Sequence, residues 1–228
     1  MIIAQETVPL FDWDWVGRNL DTIWDKTVEH LTLTGIALLV GMTISVLLAG
    51  ISIWKPPTYT PITSAAGLLY TIPSLAVFAL AAPFIGIGTV TEKYITAEVA
   101  LVAYTLLILV RNIVTGIIGV PGGVREAALG MGYRSIGRLA RIEFPLAIPV
   151  IMAGVRIATV TVVGLVTVTS LIGLGGLGFF ILDGLRRSII FPTEIIVGVV
   201  LSVALAAVLD LALLGLGRVL TPWTRRAA

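Results

Sequence analysis

Long uncharged runs, separated by short clusters of charge, divide the chain. Leu31 to Trp54 carries no charged residue, and none occurs between Lys55 and Glu92. Val99 to Val120 is interrupted only by Arg111, Leu146 to Ile172 only by Arg156, and Ile195 to Leu216 only by Asp210. Each run is long enough to cross a hydrocarbon layer of about 30 Å as a helix, which takes about 20 residues. None shows the strict polar–apolar alternation of barrel strands. The pattern predicts an all-α, polytopic membrane protein with about five transmembrane helices, the second over roughly Ile62 to Ile87. It divides the chain into an N-terminal arm (1–30), a membrane domain (31–220) with a hydrophilic loop at 121–145, and a tail (221–228).

Composition excludes the other classes. Of 228 residues, 57% are hydrophobic and 12% charged, with a mean hydropathy of +1.06. A soluble domain averages about 25% charged residues, and half that number cannot cover a water-exposed surface. A disordered chain needs the opposite balance. There is no cysteine and one histidine, His30. Thiol chemistry, disulfides and a histidine-cluster metal site are therefore excluded. The net charge of +2 gives no footprint for nucleic acid. Met1 to Leu10 lacks the basic and apolar regions of a secretory leader, so none is expected.

The distribution of charge orients the spans. Five spans put the Lys55 loop, the 121–145 loop and the tail on one side. That side holds eight basic residues: Lys55, Arg125, Arg134, Arg138, Arg141, Arg218, Arg225 and Arg226. Its acids are Glu126 and Glu143. The other side holds five basic residues, Arg18, Lys26, Lys93, Arg186 and Arg187. Its ten acids are Glu6, Asp12, Asp14, Asp21, Asp25, Glu29, Glu92, Glu98, Asp183 and Glu194. Lysine and arginine excess marks the cytoplasmic face. The expectation is an external N-terminus and a cytoplasmic C-terminus in the cell (plasma or inner) membrane, with Arg186–Arg187 the dissenting pair. The arm from Phe11 to Glu29, with Trp13, Trp15 and Trp24 among acids, reads either as an interfacial helix or as a loop with tryptophan anchors.

The loop PGGVREAALGMGYRSIGRLARIEFP, Pro121 to Pro145, is more ordered than a topology signal requires. Gly122 and Gly123 end the incoming helix, and Val124 to Met131 forms a short helix with Glu126 in its first turn. Gly132 offers a turn. Ser135 caps a second short helix over Ile136–Phe144, which Pro145 stops before the next span. The expected result is a helix–turn–helix knob outside the membrane.

Gly173-Leu-Gly175-Gly176-Leu-Gly178 matches G-x-G-x-x-G literally, but a dinucleotide site needs a preceding strand. Here a membrane helix precedes it, which leaves a flexible outer loop or re-entrant turn near a solute path. No phosphate-binding G-x-x-x-x-G-K-[ST] motif occurs, so energy must come from a partner. Arg111, Arg156 and Asp210 lie at membrane depth, where charge is costly and marks a functional path or finds a partner. Their bland reading is structural: Arg111 at the boundary, Arg156 paired with Asp210, and His30 an interfacial residue. Pro73, Pro83 and Pro149 interrupt apolar runs. Broken helices often line transport paths, although membrane helices tolerate proline generally. Thr71, Ser74, Thr159, Thr161, Thr167, Thr169 and Ser170 either line such a path or bond across helices.

Glu126-Ala127-Ala128, Gly132 after three residues, and Ile142-Glu143-Phe144-Pro145 after nine more resemble the EAA loop of ABC importer permeases, EAA-x3-G-x9-I-x-L-P. Six of seven defined positions match, with Phe144 in place of leucine. The resemblance implies that Glu126, Ala127, Ala128 and Gly132 dock into an ATPase subunit, with Ile142 and Pro145 completing the motif. TIPSLAVFALAAPFIGIG (Thr71–Gly88), RNIVTG (Arg111–Gly116), FPLAIPVIMAGVR (Phe144–Arg156) and SLIGLGGLG (Ser170–Gly178) are similar to osmoprotectant permeases of that class, importers of glycine betaine, carnitine and choline. This implies a type I importer permease of MetI-like fold, without an ATPase site or cofactor of its own. Its partners would be an ABC ATPase that binds ATP, a second permease chain (the same or different), an external binding protein and the lipid bilayer. Thr71, Pro73, Ser74, Arg111, Asn112, Arg156 and Asp210 are the candidate path or gate residues. The rival expectations are the same machine for an amino acid or sulfonate, an ion-coupled secondary transporter, and a gated osmotic channel.

Overall fold

The computed structural model describes residues 10–187 and 191–223. Residues 1–9, 188–190 and 224–228, with Glu6, Arg225 and Arg226 among them, lie outside the described residues. Those described form helices joined by short turns, with no strand among them. A six-residue helix α1 (Trp13–Arg18) precedes α2 (Leu20–Trp54). Then come α3 (Tyr59–Thr71), α4 (Ser74–Ile85), α5 (Val90–Ile118), α6 (Gly122–Gly130) and α7 (Ser135–Arg138). A wide π turn over Leu139–Glu143 leads into α8 (Phe144–Val168), followed by α9 (Gly178–Arg186) and α10 (Pro192–Leu220).

Four apolar helical stretches are long enough to cross a membrane: Leu20–Trp54, Val90–Ile118, Ser135–Ile172 and Pro192–Leu220. The second expected span is different. It is a pair of helices, α3 and α4, bent by 99° at Ile72–Pro73. At 1.5 Å per residue the two run about 20 and 18 Å, and each falls short of about 30 Å. The five-span reading therefore rests on the pair acting as one broken span.

α5 is the centre of the bundle. Over half of its apolar window is buried, against 17% for α10. It packs on α2 through a stripe of small residues, Ala37, Gly41, Ser45 and Ala49, spaced four apart on one face. Thr105 lies against Gly41, where a side chain would not fit. Small-residue faces let membrane helices approach closely, which is where their packing energy comes from. α5 meets α8 the same way: Gly116 sits on Ala147, and Gly154 on the Asn112 side chain. Two apolar clusters result. Leu33, Phe78, Leu101, Val162, Val166 and Leu174 form one; Ala49, Val110, Ile113, Val114, Ala147 and Ile151 form the other.

Three local expectations are corrected. Leu20–Glu29 is not part of a separate arm but the first turns of α2. Residues 10–19 fold onto α9 and α10, where the Asp12 amide donates to Thr193 Oγ1 at 2.9 Å and Trp15 meets Phe180 and Phe191 edge-on. Gly122 and Gly123 do not merely break a helix; they begin α6. No separate helix ends at Pro145. Arg134 is the N-cap, Ser135 lies inside the helix with no side-chain cap, and the helix runs on into α8. A proline lacks an N–H and its ring excludes the carbonyl four residues back. Widening Leu139–Glu143 into a π turn absorbs that conflict without ending the helix.

Candidate functional site

The loop between α5 and α8 forms a defined knob. α6 ends in a Schellman turn: the Tyr133 amide donates to Ala128 O at 3.1 Å, and the Gly132 amide to Leu129 O at 2.9 Å. Gly132 has φ +81°, the left-handed region, and open space where a Cβ would stand. The turn thus needs glycine for its backbone alone. Glu126 and Ala127 are exposed beside Leu129 and Met131, apolar side chains 54% and 68% exposed. Ala128 is fully buried within the chain. This corrects the expectation that Ala128 offers a close contact to a partner: an arginine there disrupts the knob itself, and Ala127→Arg is the substitution that probes the outer face. Ile142 and Pro145 are half-buried, at the π turn and the start of α8.

One carboxylate, which sequence reasoning passed over, holds the knob to the bundle. Glu143 is 4% exposed. Its Oε1 accepts from Arg138 Nε at 2.9 Å and lies 3.3 Å from Arg125 Nε. Arg125 also donates through Nη2 to Ile117 O at 2.6 Å and Ile118 O at 3.1 Å, two carbonyls at the end of α5. α5, α6, α7 and the π turn therefore meet at Glu143. The available signal was an acid at the boundary of an apolar run, with arginines five and eighteen residues before it.

The candidate path residues fall in three places. Thr71, Pro73 and Ser74 gather at the α3–α4 break. Ile72, as the residue before proline, is extended with ψ 129°. The break is chemically closed: the Thr71 hydroxyl donates to Leu68 O at 2.7 Å, the Ile72 amide to Leu69 O at 3.3 Å, and the Tyr104 hydroxyl of α5 to Ile72 O. Lipid offers no partner to a freed carbonyl, so Tyr104 supplies what the broken helix lacks. Tyr104→Phe strands that carbonyl, a loss of about 1–3 kcal/mol. It is expected to lower the unfolding midpoint in detergent, whereas Tyr70→Phe, on the neighbouring ring, leaves it unchanged. Equal midpoints for the two variants would refute the role given to Tyr104.

Arg156 and Asp210 form the second place. They join α8 to α10 as a bidentate pair, Nε to Oδ1 and Nη2 to Oδ2, both 2.7 Å. The pairing reading is thus correct. Arg111 and Asn112 belong to neither place. Arg111 is exposed near the end of α5, and Asn112 bonds back to Ile108 O at 2.8 Å within the α5–α8 contact.

The Gly173–Gly178 segment is not a flexible loop. Leu174 to Gly178 is buried, with φ +84°, +106° and +48° at Gly173, Gly175 and Gly176. Nor is His30 interfacial; it is fully buried. Its Nε2–H donates to Val163 O at 3.0 Å, which leaves Nδ1 to accept the Leu177 amide at 3.3 Å. Glu29 accepts the Gly176 amide at 3.3 Å. The dissenting Arg187 is paired with Glu194 and Asp183.

Residues 41–226 match the family described as "Binding-protein-dependent transport system inner membrane component". The chain is 38% identical over 197 residues to the choline transport system permease protein OpuBB of Bacillus subtilis, covering 86% of this chain and 88% of that one. It is 38% identical over 204 residues to the osmoprotectant import permease protein OsmW of Salmonella typhimurium, covering 90% and 94%. In solved structures, a chain of the MetNI methionine ABC transporter in an inward-facing conformation aligns with TM-score 0.74 at 19% identity. That alignment covers 92% of this chain and all of that one.

Proposed function

Because this chain belongs to the family of inner membrane components of binding-protein-dependent transport systems, we propose that it is the permease subunit of an ATP-driven importer of osmoprotectants such as glycine betaine, choline and carnitine. The fold and family make it a multi-pass transport subunit of the ABC importer type. The finer statements are our reading: a separate ABC ATPase docks on the knob, a second permease chain completes the path, and an external binding protein delivers the solute. The observation that carries this reading is the knob, a rigid helix and Schellman turn fixed to the ends of α5 and α8. Movement of an ATPase against Glu126, Ala127, Leu129 and Met131 reaches two core helices through Glu143, Arg125 and Arg138. The chain contributes no ATP site in this scheme and performs no bond chemistry.

The reading is tested by uptake into vesicles holding the complete transporter. ATP-dependent uptake of at least one of the three solutes supports it. Uptake of an amino acid alone would transfer the assignment to the same machine with another cargo, and flux without the ATPase would end it. We also propose that the knob faces the cytoplasm and the N-terminus the outside. As the chain has no cysteine, single cysteines report without background. Ser135→Cys is expected to be labelled only from the cytoplasm and Thr91→Cys only from outside; the reverse pattern refutes the orientation.

A further inference from the structure

The Arg156–Asp210 pair sits far from either membrane boundary. Arg156 lies twelve residues into the 25-residue α8, about 18 Å along its axis. Asp210 lies ten residues before the end of α10. At that depth a charged pair faces protein or water, not lipid. Yet the two side chains are 32% and 27% exposed on the isolated chain. They line an open groove of about 440 Å³ with Ala153, Ile157, Val160 and Thr161, a volume within the ~300–1,000 Å³ of small-solute sites.

The polar inventory of this groove is unfilled. A guanidinium has five N–H groups, and Asp210 takes only one from Nε and one from Nη2. Three N–H groups of Arg156 therefore have no partner among the described residues. The Thr161 hydroxyl makes no hydrogen bond there either, whereas Thr159, two residues earlier, bonds back to Val155 O at 2.8 Å. A brace between helices needs only the two bonds it has. Three spare donors beside a hydroxyl, in an otherwise apolar groove, form a receptor for a carboxylate. Asp210 beside them attracts a fixed positive charge.

We propose that this groove is a transit subsite for zwitterionic solutes, with the solute carboxylate on the free edge of Arg156 and the Thr161 hydroxyl, and its cationic end toward Asp210. The inference rests on the osmoprotectant reading above. It separates two of the proposed cargoes, because glycine betaine carries a carboxylate and choline carries a neutral hydroxyl in its place.

The experiment measures glycine betaine and choline uptake by the complete transporter in the same vesicles, so their ratio is independent of how much protein assembles. Arg156→Met/Asp210→Leu removes both charges without orphaning either. Arg156→Asp/Asp210→Arg restores the brace but moves the free donors to the other helix. In both, the betaine-to-choline ratio is expected to fall roughly tenfold or more, as a charge-assisted pairing is lost. If the reversed pair restores uptake of both solutes equally, the pair is only a brace and the proposal fails. Should neither double variant assemble, Thr161→Val decides, since it leaves the brace intact: a ratio lowered about threefold supports the subsite and an unchanged ratio overturns it. A wild-type transporter that moves neither solute overturns the substrate reading and this inference together. A wild type that moves both, with ratios unaffected by every variant, overturns the inference alone.

Discussion

Gly132→Val is expected to abolish substrate-stimulated ATP hydrolysis by the assembled transporter while its membrane level stays normal. Gly132 holds φ +81° with nothing near its missing Cβ, so the effect is purely one of backbone conformation. The left-handed region costs an L-residue roughly 1–2 kcal/mol, and a β-branched side chain there is a genuine outlier. Valine drives the backbone out of that region and breaks the two hydrogen bonds that close α6. The exposed face of Glu126, Ala127 and Met131 then loses its fixed direction. Insertion depends on apolar runs and flanking charge, which the substitution leaves alone. Gly132→Asn provides the control, because asparagine visits the left-handed region routinely; it retains most ATPase association. Co-purification of the ATPase with each variant, alongside hydrolysis in vesicles, settles the matter. Full association by the valine variant would remove the knob from the coupling scheme.

Glu143→Gln is expected to loosen the same knob from its other end. Glutamine keeps the shape but gives up the charge that two guanidinium groups share. The loss is that of a charge-assisted hydrogen bond, about 1.5–3 kcal/mol; the lower part of that range applies because Arg125 and Arg138 are a quarter to a third exposed. Opening of the knob becomes about tenfold more frequent, and proteolysis of a rapidly opening segment follows its open population. Trypsin acting on vesicles with the knob face outward should therefore cut at Arg134 about tenfold faster than in the unaltered protein. An unchanged cleavage rate would mean that Glu143 is a bystander and that α6 is held by its apolar contacts.

The spans were legible because lipid imposes a constraint that sequence states directly: a run without charge long enough to cross. The knob was legible through Gly132, whose φ the turn demands, and through the spacing of Glu126, Ala127 and Ala128. The burial of Ala128 was not, because an alanine in a short helix gives no hint of which face turns inward. The 99° break was only half visible. Pro73 announces a distortion, but the hydroxyl that closes the break belongs to Tyr104, 32 residues away in sequence. The burial of His30 and of the glycine segment was hidden for the same reason: their partners are more than 130 residues apart. The capping box of α5, in which Thr89 Oγ1 accepts the Glu92 amide at 3.2 Å and Glu92 accepts the Thr89 amide at 3.1 Å, was readable from T-x-x-E and passed unnoticed inside a charge cluster.

The closure of the broken helix by Tyr104 has a consequence for biogenesis. The chain is made from its N-terminus at about 5–20 residues per second. Ile72 therefore leaves the ribosome roughly two to six seconds before the tyrosine that satisfies its carbonyl. During that interval α3 and α4 are two half-length helices with an open backbone group between them, a state that hydrocarbon penalises by about the 1–3 kcal/mol given above for Tyr104→Phe. That penalty favours the pair staying at the headgroup layer until α5 follows. Entry of α3, α4 and α5 as one three-helix unit is therefore the lower-energy route, and it opens once Tyr104 has emerged.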